Sequence, residues 1–510
     1  MANAPYAKDS AYADVKQPHC NKFLSENALV GGADKRVHEH AGLFRNRYRF
    51  FILMLCLLCL GAIFSNMTTI NFTLICMEPK AKRSVNVTDL VDEFVPTPPA
   101  ITYDHPTHFY TQTEKTVFQW TVSIASMGAT LPFSWLCTRY GAHYTFFASG
   151  IASGLATGMI PFAAQLGFMA MIFARVFQGL AYAMDFAVIG VMCTRWAPLT
   201  ENAKFIAVMT CFPSISTFIS NSLSGLICES SLGWPWVHYF HCILSLILFT
   251  AWVLLYSDDP SHNNFVTQTE LELIHRGKTD AHKYHEPYVP YTAICKDKVV
   301  WAVWLSSFSD LFSAFFLYIY APTYIKNVLN YSTKETGFFG ALGALSHVPV
   351  KMICGYISDT YHCMPERYKM WFFNSVALLA PAVIYVYLCF SPNPLIVVIL
   401  FGAVHAALGF NCGGFYKCGA LVSRQYAEFV VACTQFIKCA VFFVAPALVA
   451  IFVSDERNAG QWHAIFYMIT VSLIISNVIF CVYATDEARP FTHLTAANRK
   501  PPRSPIEEAL

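Results

Sequence analysis

The chain has 510 residues, 55% of them hydrophobic and only 13% charged, and 34 basic against 32 acidic residues leave a net charge of +2. A soluble domain carries about 25% charged residues, so this composition excludes an ordinary soluble globule, and the near balance of charge leaves no footprint for nucleic acid. The apolar residues come in long blocks, which predicts an all-α membrane protein, because helices satisfy every backbone polar group internally.

Residues 1–44 are mixed and polar, and no cleavable signal peptide is evident. The first apolar block, "YRFFILMLCLLCLGAIFSNMTTINFTLICM" from Tyr48 to Met77, exceeds a signal core of about 7–15 residues. It is long enough to cross a hydrocarbon layer of about 30 Å. Further spans are predicted near 117–137, 143–164, 167–193, 204–228 and 236–256, then 299–321, 337–357, 369–390, 395–416, 427–453 and 462–484. The polar interval between the two sets holds Asp258, Asp259, Glu270, Glu272, Arg276, Lys278, Lys283 and Lys296. The expected organisation is an N-terminal tail (1–44), a six-helix half (45–256), a central loop (257–298), a second six-helix half (299–485) and a C-terminal tail (486–510).

Orientation follows from Lys and Arg. Arg45, Arg47 and Arg49 precede the first span, and alternate short loops carry Arg139, Arg195 with Lys204, Arg367 with Lys369, and Arg424. The intervening "PFAAQLG", "ESSLGWP" and "SPNP" carry none. The positive-inside rule then puts both termini in the cytoplasm. Lys80, Lys82 and Arg83 oppose this, but they share a long loop with Asn86-Val87-Thr88, a glycosylation sequon usable only on the outer or lumenal side. Most of the 18 cysteines, such as Cys56 and Cys59, lie in apolar blocks and read as small packing residues rather than bridges or metal ligands.

Three short segments bear on the fold: "LCTRYGAHY" with Arg139 and Gly141, "GYISD" from Gly355 to Asp359, and "ARVFQGLAYA" with Arg175, Gln178 and Gly179. With six plus six spans about a central loop, they resemble the major facilitator superfamily. In that fold two six-helix halves rock about a midplane site. Three longer segments are similar to the anion:cation symporter family of vesicular glutamate transporters, sialin and sodium–phosphate cotransporters. They are "RWAPLTENAKF" (Trp196, Ala197, Pro198, Glu201), "YSDDPSHNNFVTQTELELI" (Asp259, Pro260, Glu270) and "VPYTAICKDKVVWAV". The resemblance covers about residues 45–485, in the family's order and spacing.

At the positions that the resemblance marks as functional, the chain departs. The arginine two residues before a kept asparagine, Asn71, which the family implies for the substrate's negative group, reads Thr69. The glutamate implied in proton coupling on span four reads Tyr182, the second arginine of the tryptophan-containing loop reads Asn202, and the span-seven arginine reads Asp310. Positive charge is lost and negative charge gained.

Five charges stand well inside spans: Arg175, Asp185, Asp310, Lys351 and Lys438. Each costs about 2.5–3.5 kcal/mol at a lipid-facing midplane, so each should face the protein interior or a wet cavity. Helical phase groups Asp185 with Tyr182 and Gln178 on one face of span four, which makes Asp185 a candidate displaced coupling carboxylate. The alternative is an aspartate neutralised by Arg175 or a hydroxyl and used only for packing. Asp310 is expected to pair with Lys438, either as a static bridge or as one that opens during transport. Lys351 is expected to snorkel to the cytoplasmic surface. The serine-rich fifth span, kinked at Pro213, reads as a close-packing face.

No enzyme signature survives. "VHEH" offers two histidines and no further ligands, and "GALGALSHV" lies within a span. The expected protein has no metal and no cofactor, sits as a monomer in a plasma, endosomal or vesicular membrane, and binds a small-molecule substrate with H+ or Na+ as coupling ion. The first reading is a transporter of a small organic or inorganic anion by alternating access. The alternatives are a transporter of a cationic or zwitterionic solute, or a transporter-fold receptor that binds without transport.

Overall fold

The computed structural model describes residues 46–77, 108–198, 201–276, 289–361, 363–391 and 393–494. Asn86 lies outside the described residues, as does the side chain of Asp359. Twelve long helices run through the described chain. In the first half they are α1 (Tyr48–Met77), α2 (Gln112–Tyr140), α3 (His143–Leu166), α4 (Phe168–Arg195), α5 (Lys204–Glu229) and α6 (Trp234–Leu255). In the second they are α7 (Lys298–Asn327), α8 (Thr333–Ser358), α9 (Glu366–Leu388), α10 (Pro394–Ser423), α11 (Ala427–Phe452) and α12 (Ala459–Tyr483). Eleven are long and apolar enough to cross a bilayer. The other, α2, spends Gln119, Ser123, Ser126 and Thr130 on its buried face.

Around a large apolar core the helices expose apolar side chains and bury polar ones. Leu131, Ile243, Ile247, Leu254, Val383, Phe390 and Ile399 are exposed, while Ser, Thr, Asn and charged side chains are buried. That is the arrangement expected where lipid replaces water as solvent, since buried polar groups then bond to one another.

The two halves meet mainly through α5 against α8 and α2 against α11. The side on which α1 begins and α12 ends is called here the terminal side, the other the far side. Close approach on the far side depends on two glycines: a Cβ on Gly337 would stand 2.5 Å from the Asn221 carbonyl oxygen and 2.9 Å from Gly225 Cα. Next to them Glu229 accepts a hydrogen bond from the Lys334 backbone N–H at 2.8 Å. On the other flank Lys115 pairs with Glu456 at 3.1 Å, and Trp120 stacks on Phe443 at 4.7 Å. Serine hydroxyls of α5 also meet α1, with Ser216 on Ser65 at 3.0 Å and Ser220 on Thr69 at 2.9 Å.

Two cysteines depart from the packing reading. Cys76 at the end of α1 and Cys228 at the end of α5 form a disulfide on the far side.

Several helices are interrupted. In α4 the N–H groups of Ala183 and Met184 bond back only three residues, to Leu180 and Ala181, so one helix ends at Tyr182 and another starts at Asp185. In α10 the stretch Gly409–Gly413 is 3₁₀. These are equivalent members of the two halves, and broken helices at corresponding positions mark the binding region of transporter folds.

Candidate functional site

Asp185 opens the second segment of α4 and is fully buried. Its Oδ2 accepts from Lys438 Nζ on α11 at 3.1 Å, an ion pair out of water that joins the two halves. The ammonium also stands 4.0 Å from the ring centroid of Tyr182, 4.9 Å from Phe186 and 5.5 Å from Phe212. Ring faces attract a desolvated cation, so Lys438 is held by one charge and three quadrupoles. One turn before it, Gln435 Nε2 donates to the Tyr182 carbonyl at 3.3 Å. Asp185 Oδ1, the Tyr182 hydroxyl and Gln435 Oε1 are buried without a hydrogen-bond partner. Leaving such groups unmade costs about 1–3 kcal/mol each, so this cluster is equipped to take up a donor or a proton.

A layer of rings seals the same level. Phe64 of α1 lies 5.7 Å from Phe212 and 5.9 Å from Phe315 of α7, and Phe442 of α11 lies 4.7 Å from Phe315 and 5.6 Å from Tyr182. Tyr318 hydrogen-bonds Ser214 across the halves at 2.8 Å. His405 stacks on Tyr318 at 4.7 Å, and its carbonyl meets His347 Nδ1 at 3.0 Å.

The expected Asp310–Lys438 bridge is not formed. Lys438 turns to Asp185, and Asp310 turns away from the ring layer, about 140° round α7 from Phe315 at 100° per residue. Asp310 Oδ2 instead accepts from Asn411 Nδ2 of α10 at 3.0 Å. Arg175 does not neutralise Asp185 either. Its Nε donates to the Phe118 carbonyl at 3.1 Å, and Nη1 to the Met67 carbonyl and Gln178 Oε1, both at 2.7 Å. Gln178 Nε2 donates to the Asn66 carbonyl at 2.8 Å and Thr157 Oγ1 at 2.7 Å. These two residues form a knot inside the first half, tying α4 to α1, α2 and α3. Helical phase grouped Gln178 with Asp185, but the tight turn at Ala183–Met184 breaks that phase.

Asn71 belongs to the same knot, since its Oδ1 accepts from Gln119, whose Oε1 in turn accepts from Arg175 Nη2 at 3.4 Å. Thr69 is fully buried against α5, bonded to the Ser65 carbonyl at 2.7 Å and to Ser220. Lys351 does not snorkel. It is 4% exposed, with its ammonium 5.7 Å from the centroid of the Tyr416 ring.

The candidate conformational loops cluster on the terminal side. Gly141 ends α2 with φ of 83°, and a Cβ there would overlap the Asp258 carboxylate. That carboxylate caps α3, accepting from the backbone N–H of Ala142 at 2.8 Å and of His143 at 3.3 Å. Arg139 itself is exposed, with its guanidinium 5.9 Å from the ring centroid of Trp135 and 6.0 Å from that of Tyr140. Glu201 pairs with Arg49 Nε at 2.9 Å. Glu270 accepts from the N–H groups of Tyr48 at 3.1 Å and Arg49 at 2.9 Å, at the positive end of α1. In the second half Gly355 has room beside Cys412, and the Ser358 carbonyl receives Lys369 at 3.3 Å and Lys417 at 3.0 Å. Asp258 and Gln435 are not marked as working residues by the sequence. The spacing of Asp258 from Gly141 carries no local signal, and Gln435 reads as one more polar residue in a span.

The model of the Major Facilitator Superfamily matches residues 94–446. Among curated proteins, sialin of Ovis aries is 24% identical over 363 residues, 70% of this chain and 73% of its own. Sodium-dependent phosphate transport protein 1 of Rattus norvegicus is 23% identical over 465 residues, 89% of this chain and 97% of its own. Among solved structures, a bacterial homologue of the human lysosomal transporter Spinster, inward-facing and occupied, aligns with a TM-score of 0.58 at 13% identity, covering 87% of this chain and 99% of that one. The xylose transporter XylE from E. coli, partially occluded and inward open, gives 0.59 at 11% identity, with coverage of 86% and 98%. Its matched family, its twelve-helix plan and these neighbours make the chain a divergent member of the major facilitator superfamily, on the side of sialin and the sodium-dependent phosphate transport proteins.

Proposed function

We propose that this protein is a secondary active transporter that moves a small organic or inorganic anion by alternating access, coupled to H+ or Na+. The observation that carries the reading is Lys438, a buried ammonium at the junction of the halves, paired with Asp185 and ringed by Tyr182, Phe186 and Phe212. An anion reaching this level competes with Asp185 for the ammonium. A carboxylate displaced from its partner in such surroundings strands a charge at a cost of several kcal/mol, and uptake of a proton removes that cost. Anion entry and protonation of Asp185 are thereby linked. The names of the relatives, which include sodium-dependent phosphate transport proteins, support the same substrate class.

With the terminal side cytoplasmic, the contacts of α5 with α8 and α2 with α11 close the outer face. The Cys76–Cys228 disulfide then stands on the side where an oxidising compartment maintains it. Transport requires those far-side contacts to part while the terminal-side clusters about Asp258 and Glu201 form new ones.

The test is uptake by the purified protein in liposomes, under a pH or Na+ gradient, with labelled phosphate, a carboxylate and a cationic amine. Accumulation of an anion that disappears in Lys438→Met supports the proposal. Accumulation of the amine alone discards the anion assignment in favour of the cationic reading suggested by Asp310. Saturable binding with no uptake under either gradient favours a receptor.

A further inference from the structure

Asp310 is the second carboxylate buried among the spans, and it belongs neither to the central ion pair nor to the ring layer. It faces the point where α10 gives way to 3₁₀ structure at Gly409–Gly413. Asp310 is 2% exposed and Asn411 is 4% exposed. One carboxylate oxygen takes the Asn411 amide N–H, while Asp310 Oδ1 and Asn411 Oδ1 have no hydrogen-bond partner. Ser306 and Ser307, one turn earlier on α7, are also buried with unpartnered hydroxyls. Their i−4 and i−3 spacing places them on the helix face that carries Asp310. Among the described residues no ion pair reaches Asp310. The Lys351 ammonium is turned to the Tyr416 ring, 5.7 Å from its centroid.

We propose that Asp310 and Asn411, supplemented by the hydroxyls of Ser306 and Ser307, bind a monovalent alkali cation, Na+, at the break of α10. The donors are all oxygens, the set that hard cations select. They carry one negative charge, which a singly charged ion cancels, whereas a divalent ion would leave one positive charge of its own uncompensated by the ligand set. A proton on Asp310 can satisfy only one further acceptor, whereas a cation draws on several oxygens at once. Interrupted helices place cation sites in transporters because unwound backbone and side-chain oxygens meet there.

This deepens the transporter reading by naming where the coupling ion binds, and rests on that reading only for its consequence. The consequence follows from α10 itself, which carries His405 against Tyr318 and, through Tyr318, the hydrogen bond to Ser214 of the other half. A cation that fixes the geometry of Gly409–Gly413 fixes the helix that makes this contact.

The experiment is equilibrium binding of radiolabelled Na+ to the purified full-length protein in detergent, without transport, with choline as the inert cation. The wild type should bind saturably. Asp310→Asn should weaken binding by about tenfold or more, because it removes the only charge of the ligand set. Asn411→Ala, a milder change that keeps the carboxylate, should weaken it several-fold, and Asp185→Asn should leave it unchanged. The site is overturned if the wild type binds no Na+ above the choline control, if both Asp310→Asn and Asn411→Ala bind as the wild type does, or if Asp185→Asn abolishes binding while Asp310→Asn keeps it. Such a failure would leave Lys438-dependent anion uptake untouched, so the two readings fall separately.

Discussion

Lys438→Met should destabilise the protein more than Asp185→Asn, although each removes one partner of the same ion pair. Loss of the ammonium leaves Asp185 fully buried with neither counter-ion nor hydrogen bond, since its other oxygen is already unpartnered. Breaking a buried pair from one side costs about 3–5 kcal/mol. Loss of the carboxylate is milder, because Tyr182, Phe186 and Phe212 still face the ammonium. A cation–ring contact contributes about 0.5–2 kcal/mol, so these contacts cover part of the cost of a buried ammonium without its counter-ion. The double variant Asp185→Asn/Lys438→Met removes both charges and should be more stable than Lys438→Met alone, a coupling of about 2 kcal/mol or more. Unfolding midpoints of the four proteins, in one detergent and at one scan rate, measure this. The deficit of Lys438→Met should also grow as pH rises and shrink as it falls, because protonation relieves a stranded carboxylate. Single costs that simply add, or a Lys438→Met variant as stable as the wild type above neutral pH, would refute the account of the site.

Gly141→Ala forces a side chain into left-handed backbone and onto the Asp258 carboxylate that caps α3. It should cost about 1–3 kcal/mol, read as a lowered unfolding midpoint, and an unchanged midpoint contradicts the close approach. Gly337→Val wedges α5 from α8 where Gly225 and the Asn221 carbonyl come closest. A cysteine introduced at the buried Ser224 should then react faster with a membrane-impermeant maleimide from the far side, and an unaltered rate means that this contact is not a gate. Cys76→Ser should abolish a crosslink that encloses a separation of 152 residues and lower stability by about 2–4 kcal/mol. Mass spectrometry of the unreduced wild type should recover the two cysteines in one linked pair of peptides, and free thiols at both would dismiss the bridge.

The twelve-helix plan in two halves was legible because its determinants are local. A block such as Tyr48–Met77 is apolar over a bilayer's length whatever surrounds it, and Gly141, Glu201 and Glu270 stand in short segments that resemble the family's, although their partners Asp258, Arg49 and Tyr48 lie more than a hundred residues away. The burial of Asp185 was legible for the same reason, since a carboxylate in an apolar span must face protein. Its partner was not. Pairing with Lys438 rather than Arg175 depends on the turn at Ala183–Met184, which shifts the phase of α4, and on the packing of helices 253 residues apart in sequence. Arg175 has the charge to serve, but three α-helices deliver carbonyl and amide oxygens to it first. Asp310 stands on the same helix as Phe315, yet the roll of α7 aims it at the 3₁₀ turn of α10 and not at Lys438. Hydrophobic length and charge bias therefore determine what crosses the membrane, while helix rotation, helix breaks and the meeting of distant segments decide which buried charges find each other.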